Sequence, residues 1–201
     1  MQKRLSQRER LQLMRSKIKY SDVERARIFA ERYHTGHQEH GAQSSIMYHL
    51  EDVRAALGGF GFSQEVFPKL HIAAYLHDIL EDTSCKQSEI TEEFGSEVSD
   101  LVFRVTDEPG SNRVERKRLT YPKIAPSYLA VVLKLADRIA NMQRSIVHRF
   151  EESKYIREYI EEYPEFRGTL KTPDTDPEEM WNHLDRLMKV AEAATELEWR
   201  P

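Results

Sequence analysis

Only one cysteine, Cys85, occurs among the 201 residues of the chain. A single thiol cannot close an internal disulfide, which excludes a small secreted fold held together by disulfides and favours a reducing compartment, the cytoplasm. No run of about 20 apolar residues is present, so no segment is predicted to span a membrane. The chain also starts in charged sequence, without the apolar core of a signal peptide.

Glycine and proline are scarce as well, with eight of each, which excludes a collagen-like chain. Hydrophobic residues make up 39% and charged residues 32%, a balance typical of one globular domain with a hydrophobic core. The net charge of -4 argues, as an average, against a protein that binds polyanions. The eight histidines that accompany this charge therefore need an explanation.

The charge is unevenly distributed along the chain. Residues 1–19 contain seven cations and one carboxylate, and residues 151–201 contain fourteen carboxylates and seven cations. Solvated helix faces and a frayed terminus account for both segments most simply; a nucleic-acid-binding arm is the weaker alternative, because the basic segment has no interleaved aromatic residues. We predict a basic N-terminal segment (1–20), a core (21–150) and C-terminal helices that pack on this core (151–201), in a single domain overall.

Apolar residues recur at helical spacing through nearly the whole chain, whereas period-two alternation bounded by turns is hard to find. This pattern predicts an all-α fold. Ser21 is a suitable N-cap for the first helix, and Gly58-Gly59 end the second. The segment from Ser63 to Leu80 is apolar nearly all round and predicts one helix, with Pro68 allowed only near its beginning and its latter half buried. Further helices are predicted near residues 89–94, 96–104, 114–119 and 128–142, and on both sides of a loop at 172–177.

Charged residues interrupt the two most apolar segments. His77, Asp78, Glu81 and Asp82 lie in the first, and Asp137 lies in the second. A buried carboxylate costs several kcal/mol unless it is paired or bound to a metal ion. In a continuous helix, the spacings of three and four residues would place the first four side chains on one broad wall.

A divalent cation would compensate this buried negative charge, because imidazole and carboxylate groups together are suitable ligands. One more histidine is expected from elsewhere. His49 is the best candidate, since the apolar face of its helix points it toward the core. For single residues the alternatives are a core histidine satisfied by hydrogen bonds, or a salt-bridge network around Asp137 and Arg138.

The order His49, His77-Asp78, Asp137 resembles the H…HD…D signature of the HD metal-dependent phosphohydrolases. Longer stretches narrow the resemblance to the hydrolase domain of the RelA/SpoT family, including the small alarmone hydrolases related to the metazoan SpoT homologue. The matching stretches are LHDILEDT (76–83), FGSEVSDLV (94–102), VTDEPGSNRVERKRL (105–119) and KLADRIANM (134–142). The resemblance covers roughly residues 21–150 and implies an all-α HD-domain helical bundle, which agrees with the periodicity.

The resemblance implies that one metal ion, usually manganese, is held by His49, His77, Asp78 and Asp137. It also implies that Glu81 and Asp82 orient or deprotonate the attacking water. A water coordinated to such an ion is more acidic than bulk water, and a carboxylate one helical turn away can accept its proton. No histidine occurs between residues 78 and 147, so a second ion lacks obvious ligands and we predict a single Mn²⁺.

Enzymes of this family remove pyrophosphate from the 3′ position of guanosine tetra- or pentaphosphate (ppGpp or pppGpp), and the resemblance implies the same activity here. Arg113, Arg116 and Lys117, at i, i+3 and i+4, present three positive groups on one helix face. By resemblance, Lys117 contacts substrate phosphate, and Asn141 hydrogen-bonds to the substrate or orders the site. The alternative is an ordinary solvated surface on which Glu115 pairs locally.

The segment before the first expected ligand departs from the family pattern. It reads HTGHQEHGAQSSIMYHL (34–50), with Glu39 and His40 about where the family carries cations. We therefore expect a preserved metal site and one altered wall of the nucleotide pocket. His34, His37 and His40 are interpreted as residues of a substrate-facing loop, because at this spacing only neighbouring pairs would share a helix face and a second metal cluster is disfavoured.

Two other functions stay open at this point. One is a phosphatase or pyrophosphohydrolase of another nucleotide, for instance of the 2′-phosphate of NADPH. The other is a non-catalytic binding protein on the same fold, against which the retained Glu81, Asp82 and Asp137 argue. The chain is too short for an additional synthetase domain, so we expect hydrolysis alone. The expected partner is a phosphorylated nucleotide, without membrane or nucleic acid, and the sequence leaves monomer and homo-oligomer open.

Overall fold

The computed structural model describes residues 22–35, 43–147, 153–172 and 177–198. Helices and their connections make up these ranges, and no strand occurs within them, which confirms the predicted all-α fold. None of the helices in the described part of the chain is long and apolar enough to cross a membrane. The helices are α1 (Asp22–Thr35), α2 (Gln43–Gly59), α3 (Pro68–Leu76), α4 (Ile79–Asp82), α5 (Gln87–Phe94), α6 (Ser96–Val105), α7 (Arg113–Ile124), α8 (Tyr128–Val147), α9 (Ser153–Leu170) and α10 (Glu178–Glu198).

The core is built around α3 and α8. All residues of α3 from Leu70 to Leu76 are buried, and so is almost the whole apolar run of α8. Helices α1, α2 and α6 pack against α3, and α2, α6 and α10 pack against α8. A fully buried Leu, Ile or Val side chain contributes roughly 1.5–3 kcal/mol, so these two helices hold the functional side chains on the most stable part of the fold.

The prediction of one continuous helix from Ser63 to Leu80 is wrong. Helix α3 begins at Pro68, whose missing N–H is tolerated in the first turn, and it ends at Leu76. Asp78 adopts φ -96° and ψ -7°, in the sparsely populated bridge region, and its carbonyl accepts the first hydrogen bonds of the short helix α4. The helix is therefore interrupted at His77-Asp78, and the spacing rules of a continuous helix do not strictly apply across this break.

The two C-terminal helices pack on the rest of the fold. Helix α9 packs against α7 and α8, and α10 packs against α8 and α9. Phe166 lies at the centre of this contact, with its ring centroid 5.4 Å from that of Tyr121 and 5.7 Å from that of Trp181. Tyr163 and Arg167 of α9 both donate hydrogen bonds to Asp185 of α10, which fixes the two helices against each other.

Part of the predicted histidine loop is helical. His34 lies in the last turn of α1 and is buried, so its assignment to a substrate-facing loop is wrong. The reason is that the helix that starts at Asp22 continues to Thr35 and so includes His34. His37 and His40 lie outside the described residues, as do the basic segment 1–20 and residues 173–176 of the predicted loop.

Candidate active site

Four side chains predicted as metal ligands converge from three parts of the fold. His49 comes from α2, His77 and Asp78 come from the break between α3 and α4, and Asp137 comes from α8. His49 Nε2 lies 3.3 Å from His77 Nε2, 3.6 Å from Asp78 Oδ2 and 3.4 Å from Asp137 Oδ1. His77 Nε2 lies 3.1 Å from Asp78 Oδ1 and 3.7 Å from Asp137 Oδ1. Two imidazole nitrogens and two carboxylates thus face one small space.

The arrangement of these atoms fits a metal ion. His77 Nδ1 lies 2.9 Å from the carbonyl oxygen of Ala74, so the proton belongs on Nδ1 and the lone pair of Nε2 faces the cluster. His49 Nε2 and His77 Nε2 are 3.3 Å apart, and when both rings are neutral with the proton on Nδ1 neither can donate to the other, whereas a cation between them would satisfy both lone pairs. In the described part of the chain, His49, His77 and Asp78 form the one group of three such ligands whose donor atoms lie within 4.8 Å of one another.

The electrostatics of the cluster also favour positive charge. Burial lowers the pKa of His77, but the Asp78 and Asp137 carboxylates outweigh burial and raise this pKa well above 6.5. Burial raises the pKa of Asp78, and the two histidines outweigh it and lower the value to about 2. The pKa of Asp137 falls well below its usual value, since Lys134 and the histidines overcome its burial. The two carboxylates are therefore negatively charged at neutral pH.

The two oxygens of Asp137 have different partners. Oδ1 faces the histidines and accepts a hydrogen bond of 2.6 Å from Asn141 Nδ2. Oδ2 lies 2.9 Å from the ammonium of Lys134, one turn earlier in α8. Asn141 was predicted to order the site, and the structure places it beside the ligand. Lys134 was not predicted, although a lone cation three residues before a buried aspartate is a recognisable signal.

The predicted catalytic carboxylates lie next to this cluster, at the solvent-exposed rim formed by α4. Glu81 Oε1 accepts a hydrogen bond of 2.8 Å from the backbone N–H of Asp107, which holds the side chain toward the α6–α7 connection. Desolvation by the surrounding protein raises the pKa of Glu81, and the charges of Asp107 and Asp78 raise it further. Desolvation and Asp78 likewise raise the pKa of Asp82. A carboxylate with a raised pKa is a stronger base, which suits a proton acceptor.

The predicted phosphate-binding cations of α7 separate into two groups. Lys117 is buried and donates hydrogen bonds of 2.9 and 2.7 Å to the two carboxylate oxygens of Asp107. Arg116 is more exposed, with Nε 3.9 Å from Asp107 Oδ2. Arg113 instead turns to α9, where it pairs with Glu162. Lys117 and Arg116 therefore share one carboxylate near Glu81, and Arg113 belongs to the contact between α7 and α9.

Asp137 and Arg138 both form salt bridges, as the alternative of a salt-bridge network supposed, but they do so with different partners and not with each other. Arg138 Nη2 lies 2.9 Å from Glu162 Oε2. Its guanidinium carbon lies 4.4 Å from the ring centroid of Tyr159 and 4.8 Å from that of Phe166. Arg138 thus joins α8 to α9, and the charge beside Asp137 comes from Lys134.

Comparison with known proteins gives a family and a set of relatives. The HD-domain family model matches residues 26–166. A guanosine-3′,5′-bis(diphosphate) 3′-pyrophosphohydrolase of Aquifex aeolicus is 34% identical over 147 residues, which are 71% of this chain and 20% of the relative. Enzymes with the same name from Drosophila melanogaster (40% identical over 73 residues, 36% of this chain and 41% of the relative) and Homo sapiens (34% over 118 residues, 56% and 64%) are also similar.

The chain covers a fifth of the Aquifex relative and less than two thirds of these two animal relatives. A solved structure of a metazoan SpoT orthologue, reported to hydrolyse ppGpp, superposes with a TM-score of 0.62 at 23% identity. That superposition covers 84% of this chain and 94% of the solved chain. It establishes a shared fold.

Proposed function

The chain belongs to the HD-domain family, and we propose that it is a metal-dependent hydrolase that removes the 3′-pyrophosphate from ppGpp and pppGpp, leaving GDP and GTP. One observation carries this proposal. The Nε2 atoms of His49 and His77 and the carboxylates of Asp78 and Asp137 converge within 3.7 Å, directly beside the Glu81 and Asp82 rim. The similarity to the pyrophosphohydrolases of Aquifex, Drosophila and Homo supports the choice of substrate.

We propose that each chain binds one divalent cation, manganese, through His49, His77, Asp78 and Asp137. Bound there, it supplies Lewis-acid activation of a water molecule and neutralises phosphate charge. The protein contributes the orientation of the donors. His77 is fixed through Ala74, and Asp137 is fixed through Asn141 and Lys134.

The proton and phosphate steps are assigned to side chains on the rim. Glu81, assisted by Asp82, accepts the proton of the attacking water as the water oxygen bonds to phosphorus and the bond between phosphorus and the 3′-oxygen breaks. The proton that Glu81 accepted then passes to the 3′-oxygen as it leaves, so the products are the 5′-phosphorylated nucleoside and pyrophosphate. We propose that Lys117 and Arg116 bind substrate phosphate, and the pairing of both with Asp107 supports a common location. Arg113, predicted as a third such cation, supports α7 through Glu162.

The location, the partner and the domain organisation of the protein are proposed as well. We propose a cytoplasmic protein whose partner is the nucleotide, with residues 21–150 as the catalytic core and residues 151–201 packed on it. We do not propose nucleic acid as a partner. Residues 151–201 carry fourteen carboxylates and only seven cations, and an acidic segment is unsuited to binding a polyanion.

A panel of substrates tests the proposed function. The protein is stripped of metal, reloaded with Mn²⁺ and incubated with ppGpp, pppGpp, NADPH, GTP and ATP, and pyrophosphate and phosphate are measured separately. We expect pyrophosphate from ppGpp and pppGpp and no turnover of GTP or ATP. Phosphate from NADPH alone would replace the proposed substrate by a 2′-phosphorylated nucleotide. A panel without any turnover would overturn the enzyme assignment and favour a binding protein.

A further inference from the structure

Lys134 is a buried cation inside the most apolar stretch of α8, and the fold alone gives no reason for it. The residue is 6% exposed, and its neighbours along the helix are Leu133 and Leu135, which are fully buried. A buried ammonium costs several kcal/mol unless opposite charges compensate it, so a core position would ordinarily be occupied by an apolar residue. The negative groups near Lys134 therefore indicate which side chains this lysine stabilises.

The direct partner of Lys134 is the carboxylate of Asp137. Its Nζ lies 2.9 Å from Oδ2, whereas Oδ1 faces His49 and His77 and accepts the hydrogen bond from Asn141. Lys134 and Asn141 thus hold the carboxylate from both ends. A free carboxylate can rotate and chelate through both oxygens, but this one can present only Oδ1 to the space between the histidines.

Two further carboxylates act on the same ammonium through their charge. Glu81 and Asp107 both interact with Lys134 electrostatically, next to Asp137 itself. Asp107 in turn holds Glu81 through its backbone N–H and Lys117 through its side chain. Lys134 therefore interacts electrostatically with both a metal ligand and the proposed proton acceptor, and its positive charge offsets the negative charge of each.

We propose that Lys134 is a positioning residue that locks Asp137 in a single-oxygen orientation toward the metal ion and supplies a positive charge that acts on Glu81. This inference rests on the proposed function for its catalytic part, and its metal-binding part stands without any substrate. Outer partners of metal ligands typically change metal affinity or activity about 10- to 100-fold when they are removed. The same range is expected here.

The test compares Lys134→Met, which keeps chain length and removes charge, with Lys134→Arg, which keeps charge. Mn²⁺ affinity is measured on the chelator-stripped proteins by isothermal titration calorimetry, without substrate. We expect Lys134→Met to weaken Mn²⁺ binding by about 10- to 100-fold, and Lys134→Arg to recover most of that loss. Lys69→Met is the matched control, because Lys69 is an exposed lysine of α3 paired with Glu97 on the surface. It should bind Mn²⁺ as the unchanged protein does.

Turnover of ppGpp at saturating Mn²⁺ then separates the two parts of the inference. We expect kcat of Lys134→Met to stay reduced when the metal site is full, because Glu81 has lost its neighbouring charge, while KM changes little. Unchanged Mn²⁺ affinity in Lys134→Met would overturn the inference and leave the proposed function untouched. Weakened Mn²⁺ binding in a protein that hydrolyses nothing would overturn the proposed function and leave the metal-binding role of Lys134 standing.

Folding is checked by circular dichroism and thermal melting in the presence of chelator. If Lys134→Met does not fold, Lys134→Gln replaces it, since the amide can still donate a hydrogen bond to Oδ2 without carrying charge. The expected direction is the same, and Mn²⁺ affinity equal to that of the unchanged protein would again contradict the inference.

Discussion

Asp78 and Glu81 are three residues apart and have opposite electrostatic environments. Asp78 lies between two histidines that lower its pKa, and Glu81 lies at a rim where desolvation raises its pKa. Asp78 Oδ2 lies 3.6 Å from His49 Nε2, whereas Glu81 accepts a hydrogen bond from the backbone N–H of Asp107. Neighbouring carboxylates in different surroundings are the usual basis for dividing binding and proton transfer between them.

Single substitutions should separate these two roles. Asp78→Ala should abolish Mn²⁺ binding and turnover together, because one ligand is lost. Glu81→Gln should leave Mn²⁺ binding intact and lower kcat by about 10²- to 10⁴-fold, the usual contribution of a general base. Calorimetry gives the first quantity and pyrophosphate release the second. Full activity of metal-free Asp78→Ala would contradict the mechanism.

The depressed pKa of Asp78 also predicts a pH dependence of stability in the metal-free protein. Its pKa is about 2 in the fold and 3.8 ordinarily, so ionised Asp78 stabilises the fold above pH 4, and this contribution is lost as the pH falls toward 2. The shift corresponds to about 2 kcal/mol. Between pH 5 and pH 2, the free energy of unfolding in chelator should therefore fall further for the unchanged protein than for Asp78→Asn.

Urea denaturation measures that difference, and Asp52→Asn is the matched control. Asp52 lies on α2 with its side chain 53% exposed, so its replacement should leave the pH dependence as it is. Equal pH dependence in Asp78→Asn and the unchanged protein would show that the histidines do not stabilise the Asp78 carboxylate.

At the scale of helices, the contact of α9 with α7 and α8 depends on one buried carboxylate. Glu162 pairs with Arg113 of α7 and Arg138 of α8, and Arg138 is enclosed by aromatic rings of α9. Both arginines flank the site, because Lys117 follows Arg113 by one turn and Asp137 precedes Arg138 directly. The contact therefore holds two walls of the site in place.

Replacing Glu162 should cost much of the stability of the fold. Glu162→Gln leaves the buried Arg138 without its counter-charge, and the loss of one member of a buried pair typically costs about 3–5 kcal/mol. Glu161→Gln, on the exposed side of the same helix, should change the unfolding free energy little. Chemical denaturation of both variants measures the difference, and equal stability would contradict a structural role for the α7–α9 contact.

The helices themselves were largely predictable from the sequence, and the way they are joined was not. Apolar periodicity predicted α2, α6 and α8, and a glycine or a proline marked one end of each helix. The break between α3 and α4 falls at His77-Asp78, where no glycine or proline marks a helix end, so the helical pattern did not predict it. His49, His77, Asp78 and Asp137 were predicted as a set and lie together, since a charged residue in an apolar run is visible in sequence. The partners of Arg113 and Lys134 depend on packing between helices distant in sequence, which periodicity does not contain.

At the scale of the whole molecule, the net charge of -4 does not argue against a polyanionic substrate. Much of the negative charge belongs to residues 151–201, and the carboxylates of the site are compensated locally by Lys134, Lys117 and the proposed cation. Binding of a charged ligand depends on the local field, which an average over the chain does not describe.

The basic segment provides a test at this scale. Removal of residues 1–19 should leave kcat/KM for ppGpp nearly unchanged, because the groups proposed to bind phosphate lie on α7. The assay is repeated at low and at physiological ionic strength. A large loss at low salt that disappears at higher salt would show instead that this segment attracts the substrate electrostatically.

The central claim is that one metal ion, bound by the convergent histidines and aspartates, supports removal of pyrophosphate from ppGpp. Its most direct test is a titration of chelator-stripped protein with Mn²⁺, in which pyrophosphate release is recorded at each addition. We expect activity to rise in proportion to added Mn²⁺ and to reach a plateau at one ion per chain. Asp78→Ala should show no activity at any Mn²⁺ concentration. Release of pyrophosphate without metal, or a plateau only at two ions per chain, would contradict the central claim.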